Sequence, residues 1–257
     1  MTISKIIVFL FCLSISLSAY ADEGFPGREK YPDIPYITLS DFYNGYVRNN
    51  FVIVDARSNF EFNVIQIKGA INLPVNSENF YSEINKLAQT TNKTIVFYCN
   101  GRRCMKSFKA AVKSKLSNIL VFDAGVFEWA NEHPEKSVLM DESPLPLDKL
   151  ISSSKLKEHF ISLSKFEQLI PDSVLIDVRD LKERRGSGLF LLADKSAPLS
   201  KPKKLERYVN KAIKEDKTLL AYDNAGKQVR WLQYYLEQKG VKKYYFMGGG
   251  AKYYTYQ

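Results

Sequence analysis

The sequence predicts an α/β chain of two tandem domains, each a small, mostly parallel sheet with helices on both faces. Three observations carry that expectation. Short apolar runs rich in Val and Ile alternate with stretches of helical spacing, the arrangement that places parallel strands under covering helices. The chain repeats itself at an offset near 124 residues, where ITLSDF (37–42) matches ISLSKF (161–166) and TIVFYCN (94–100) faces TLLAYDN (218–224). Between the copies, from about Pro134, PEKSVLMDESPLPLDKLISSSK collects Pro, Ser and charge, as a linker does.

Residues 1–21, MTISKIIVFLFCLSISLSAYA, read as a cleaved signal peptide, with one Lys, an apolar run of secretory length and a small-x-small ending. Export from a bacterial-type cell implies the periplasm, with no membrane attachment after cleavage. Cleavage removes Cys12, leaving Cys99 and Cys104, too few for a disulfide scaffold. Residues 22–140 then form the first domain, 141–154 a linker, and 155–257 the second domain. The net charge of +9 is spread through Lys-rich stretches such as KPKK (201–204), which suits a solvated surface rather than nucleic-acid binding.

In the first copy, FVIVDA (51–56), TIVFYC (94–99) and NILVFDAG (118–125) read as buried strands. In CMKSFKAAVKSKL, Phe108, Ala111, Val112 and Leu116 fall at helical spacing. VRWLQYYLEQKG (229–240) is its counterpart in the second copy and stops at Gly240. VIVDARSNFEF (52–62) matches VLIDVRDLKER (174–184), so Asp55 and Arg57 recur as Asp177 and Arg179 and read as structural ion pairs. VFDAG (121–125) is matched with YFMGG (245–249).

CNGRRC (99–104) connects a strand end to a helix start, the place where parallel sheets collect inward-pointing N–H groups. Gly101 lets the backbone curl around an anion, and Arg102, Arg103 and Lys106 add positive charge. A thiol there is expected to be acidified, making Cys99 a nucleophile. The same cradle, Asn100, Gly101, Arg102, Arg103, Cys104 and Met105, is the expected binding site for a small anion.

At these residues the chain resembles the rhodanese family of sulfurtransferases. VDARSNFEF, IKGAINLP (67–74), CNGRRC and DAGVFEW ending in His133-Pro134 stand where that family carries its motifs. The resemblance implies tandem rhodanese-like domains and a persulfide on Cys99, taken from thiosulfate or mercaptopyruvate and passed to cyanide or a thiol. It implies no cofactor. Cys104 stands where relatives commonly carry Ser or Thr, and Met105 replaces the Trp of a bacterial CNGxxCW subgroup. In the second copy Asp223 stands in place of Cys99, so that copy is expected to be silent.

Rival readings are weaker. CxxxxC supplies two ligands with no nearby His, so no metal is expected. A phosphatase needs Arg where Met105 stands. Thiol–disulfide redox is the serious alternative, with Cys104 as a resolving thiol that attacks the Cys99 persulfide and a periplasmic reductant as partner. A non-catalytic interaction module, built on the Tyr-rich second copy, is the third. The sequence carries no signal of oligomeric state.

Overall fold

The computed structural model describes residues 24–184, 188–190 and 193–254. The expected signal peptide lies outside them. No helix among the described residues is long and apolar enough to cross a membrane.

The first lobe holds β1 (Phe51–Asp55), β2 (Ile65–Ile67), β3 (Ile71–Asn72), β4 (Thr94–Tyr98), β5 (Ile119–Phe122) and β6 (Ser137–Leu139). The second holds β7 (Phe160–Ile161), β8 (Ser173–Asp177), β9 (Lys195–Ser196), β10 (Thr218–Tyr222) and β11 (Tyr244–Met247). The first main sheet runs β3-β1-β4-β5, with Tyr36 bridged in parallel to Val121 on the far side of β5. The second runs β9-β8-β10-β11-β7, and all pairings in both are parallel. Position for position, the four strands of the first sheet match β9, β8, β10 and β11 of the second, and the Tyr36 bridge stands where β7 does.

The structure refines the repeat in one place. β5 begins at Ile119 and β11 at Tyr244, so Gly125, which opens the next helix, corresponds to Gly250 rather than Gly249. A β2-β6 antiparallel pair, absent from the sequence reading, pairs Ile65 with Leu139 and ties 137–139 to the first lobe.

Alternation along the central strands feeds two faces. Val54, Ile95 and Phe97 pack against Phe80, Ile84, Phe108 and Ala111 of helices Phe80–Gln89 and Lys106–Ser114. Ile53, Val96 and Tyr98 point the other way, towards Phe42 and Trp129. That second face continues without a break into Ile176, Leu219, Ala221 and Leu232 of the second lobe. Phe127 stacks on Trp231 with ring centres 5.3 Å apart, and the Tyr234 hydroxyl accepts from the Ile151 amide at 2.9 Å. Of the Tyr-rich set, Tyr234 and Tyr244 are buried while Tyr253 is 54% exposed. Tyr256 lies outside the described residues.

Candidate functional site: the CNGRRC loop

β4 ends at Tyr98 and delivers Cys99 to the carboxyl end of the sheet. The next helix begins at Lys106, with Met105 at its N-cap and no side-chain cap. The loop between them closes on itself, the Cys104 amide donating to the Gly101 carbonyl at 2.8 Å. The start of helix Gly125–Glu132 holds it from below: the Val126 amide donates to the Cys99 carbonyl (2.9 Å) and the Phe127 amide to that of Asn100 (3.3 Å).

Gly125, not Gly101, is the glycine whose conformational freedom the loop uses. Its φ is +72°, and a Cβ there would stand 2.4 Å from the Gly101 nitrogen. Gly101 has no left-handed φ; a side chain there would press on the Ala124 carbonyl at 3.3 Å. Gly125→Ala is therefore expected to lower the unfolding free energy by about 1–3 kcal/mol, measured by urea unfolding.

The two thiols differ in the opposite sense to the sequence expectation. Cys99 is fully buried and Cys104 partly exposed, and neither is in a disulfide. The Cys99 thiol donates to the Cys104 carbonyl at 3.2 Å and lies 3.3 Å from the buried Ser107 hydroxyl. Burial pushes the Cys99 thiol well up, and the neighbouring Cys104 sulfur adds to the effect. Cys104 is lowered to about 6: the neighbouring Cys99 thiol favours its thiolate most, then the Lys106 and Asn100 amides and the Lys106 charge, against burial. The loop therefore favours the thiolate at Cys104, while burial disfavours it at Cys99.

A buried polar chain underlies the loop. Asp55 and Arg57 are both fully buried and meet through Nε–Oδ1 (2.9 Å) and Nη2–Oδ2 (2.5 Å). Burial works against the Arg57 charge, but Asp55 more than offsets it and the pKa rises. Arg57 Nη1 donates to Asn100 Oδ1 (3.2 Å), and Asn100 Nδ2 donates to Glu61 (3.1 Å). Lys106 Nζ reaches Glu61 at 2.6 Å. Burial pushes Glu61 up, but Lys106 and Arg57 outweigh it and hold its carboxyl below the usual range. Ser58 fixes Glu61 through a capping box at the start of helix Asn59–Val64.

The sequence-expected residues divide accordingly. Cys99, Asn100, Gly101 and Cys104 come together. Arg102 is drawn outward into a two-pronged pair with Glu128 (2.8 and 2.9 Å) and over the Phe25 ring. Arg103 is exposed at the loop surface. Met105 serves as the helix N-cap position. Two further residues join the site: Ser107, which supplies the hydroxyl beside Cys99, and Glu61, which the sequence marks as part of the repeat. The Ser58-x-x-Glu61 spacing carried the signal for Glu61; nothing in the sequence marked Ser107, because Cys104 occupies the position where a hydroxyl is usual.

The second lobe repeats the geometry without the chemistry. The Ala251 amide donates to the Asp223 carbonyl (2.8 Å) and the Lys252 amide to that of Asn224 (2.9 Å), mirroring Val126 and Phe127. The Asp223 carboxylate accepts from the amides of Ala225 (2.9 Å), Gly226, Gln228 and Val229 (3.1 Å). The chain's own carboxylate thus fills this cradle. Asp177 and Arg179 pair as in the first lobe, at 2.8 Å.

Comparison with known proteins matches residues 38–132 to the family model described as rhodanese-like domain. The tRNA uridine(34) hydroxylase of Buchnera aphidicola subsp. Baizongia pistaciae is 26% identical over 108 residues, 41% of this chain and 35% of that protein. That of Aster yellows witches'-broom phytoplasma is 29% identical over 133 residues, 49% of this chain and 42% of that protein. The chain spans less than half the length of these curated relatives. A solved thiosulfate sulfurtransferase from Pseudomonas aeruginosa is 15% identical at a TM-score of 0.34, covering 88% of this chain and 45% of that one. The likeness rests on the family model rather than on that structural match. Residues 38–132, which include the strand-end loop carrying Cys99, are thus similar to a rhodanese-like domain.

Proposed function

We propose that the chain is an exported sulfurtransferase that moves sulfane sulfur from a small anionic donor, such as thiosulfate, through a persulfide on Cys99 to a thiol or cyanide acceptor. The observation that carries this reading is the Cys99 thiol at the carboxyl end of β4, held against the Cys104 carbonyl and the Ser107 hydroxyl within one tight loop that carries a second thiol. Cys104 is the more acidic of the two. As Cys99 attacks the outer sulfur of the donor, its proton passes to the Cys104 sulfur, so the buried thiol reacts as thiolate without ever standing ionised alone. The S–S bond of thiosulfate breaks, sulfite leaves with the bonding pair, and the new Cys99 persulfide carries the negative charge. Backbone N–H groups of the loop then stabilise that charge as they stabilised Cys104. Exposed Arg103 supplies the local field that draws in an anion.

This coupling sets a pH profile. Sulfite release is expected to fall below about pH 6, as the pair takes up its second proton. In Cys104→Ser the acid limb moves upward, because Cys99 is then left with the high pKa that burial imposes. Stopped-flow sulfite assays from pH 5 to 10 read both limbs. An unmoved limb would exclude Cys104 as the proton acceptor.

The tRNA substrate named for the curated relatives is not carried over, since the chain matches less than half of each. Export rests on residues 1–21 and is tested by the N-terminal sequence of protein recovered from the periplasmic fraction.

A further inference from the structure

The loop has a second thiol where sulfur transfer to an external acceptor needs one. The Cys99 sulfur lies 3.2 Å from the Cys104 carbonyl, and Cys104 is the more exposed of the two. The Cys104 amide closes the turn on the Gly101 carbonyl at 2.8 Å, which holds both cysteines on one tight loop. A persulfide formed on Cys99 therefore stands on the same turn as a second, more accessible thiol. Nothing equivalent exists in the second lobe, where Asp223 fills the cradle.

We infer that the chain releases its sulfur as hydrogen sulfide by closing a Cys99–Cys104 disulfide, and that an external dithiol reductant, acting on Cys104, reopens it. This rests on the sulfur-loading reading above. In the resolving step the Cys104 sulfur attacks the inner sulfur of Cys99–S–S⁻. A Cys99–Cys104 bond forms, the persulfide S–S bond breaks, and the Cys104 proton leaves with the outer sulfur as HS⁻. The two thiols are oxidised by two electrons and the sulfane sulfur is reduced by two. With loading, one thiosulfate and two thiols give one sulfite, one sulfide and one disulfide.

Regeneration then consumes a dithiol: one of its thiolates attacks Cys104, releasing Cys99 as the thiol, and its second sulfur resolves the mixed disulfide. Attack falls on Cys104 because Cys99 is fully buried. The partner's class follows from the chemistry: a reducing dithiol that can approach the surface carrying Arg103.

The experiment uses the full mature chain, reduced and freed of reductant, mixed with one equivalent of thiosulfate. Sulfite, sulfide and the masses of the Cys99 and Cys104 peptides are read together. The expected result is one sulfite and one sulfide per chain, with a Cys99–Cys104 crosslinked peptide lighter by two hydrogens. Turnover then resumes on adding dithiothreitol together with further thiosulfate. Sulfite with a lasting Cys99 persulfide and no sulfide overturns the inference and leaves sulfur loading intact. No sulfite at all overturns the loading reading itself. Cys104→Ser, assayed at alkaline pH so that Cys99 ionises, is expected to release sulfite and keep its persulfide. Sulfide release from that variant at the wild-type yield would equally overturn the inference.

Discussion

Cys99→Ser is expected to lower thiosulfate-to-cyanide sulfur transfer by at least about 10³-fold, while the unfolding midpoint in urea changes little. The reason is chemical rather than structural. The serine hydroxyl keeps a donor towards the Cys104 carbonyl and the Ser107 hydroxyl, so the loop retains its closure. An alkoxide at that place cannot form a persulfide, and no other thiol stands at a strand end in either lobe. Cys104→Ser is the contrasting variant: it keeps the strand-end thiol and loses the proton acceptor, so its deficit shrinks as pH rises. Equal and pH-independent losses in both variants would show the loop to be structural.

Arg57→Ala is expected to destabilise the protein by about 3–5 kcal/mol, the range for removing one partner of a buried pair. Asp55 is fully buried beside it and would be left without its main partner. Arg57 also binds the Ile65 carbonyl (2.5 Å), holds Asn100, and lies 5.4 Å from the centre of the Trp231 ring in the second lobe. One substitution therefore loosens the β1 end, the CNGRRC loop and the contact between lobes together. Arg57→Lys keeps the charge but not the two-pronged geometry and should fall between wild type and Arg57→Ala. Urea unfolding with tryptophan fluorescence reads the series, since Trp231 is one of two tryptophans in the chain.

Much of this was legible in the sequence because it depends on period and repetition. Apolar runs located β1, β4 and β5, and self-comparison placed Asp223 opposite Cys99 and Asp177–Arg179 opposite Asp55–Arg57. The rest depended on depth and on backbone geometry, which residue types alone do not reveal. Cys99 and Cys104 stand in the same six-residue turn, so charge reasoning favoured acidifying the strand-end thiol. Burial reverses that order, and only the fold shows Cys99 to be the deeper of the two. Gly101 and Gly125 are equally glycine in the sequence, yet only Gly125 adopts positive φ against the loop. Asp223 could be read as a repelling charge; the fold shows it satisfied by four amides of its own turn. The β2-β6 pair escaped notice because two three-residue strands, separated by most of a lobe, carry no periodic signal.

The central claim, that Cys99 is the sulfur carrier, is tested most directly by peptide mass after brief thiosulfate treatment, quenched with an alkylating agent in acid. In Cys104→Ser, where no second thiol of the loop can resolve the adduct, the Cys99 peptide should be heavier by one sulfur atom at near-stoichiometric yield. A Cys99 peptide of unchanged mass, at a pH where its thiol is alkylated readily, would contradict the account.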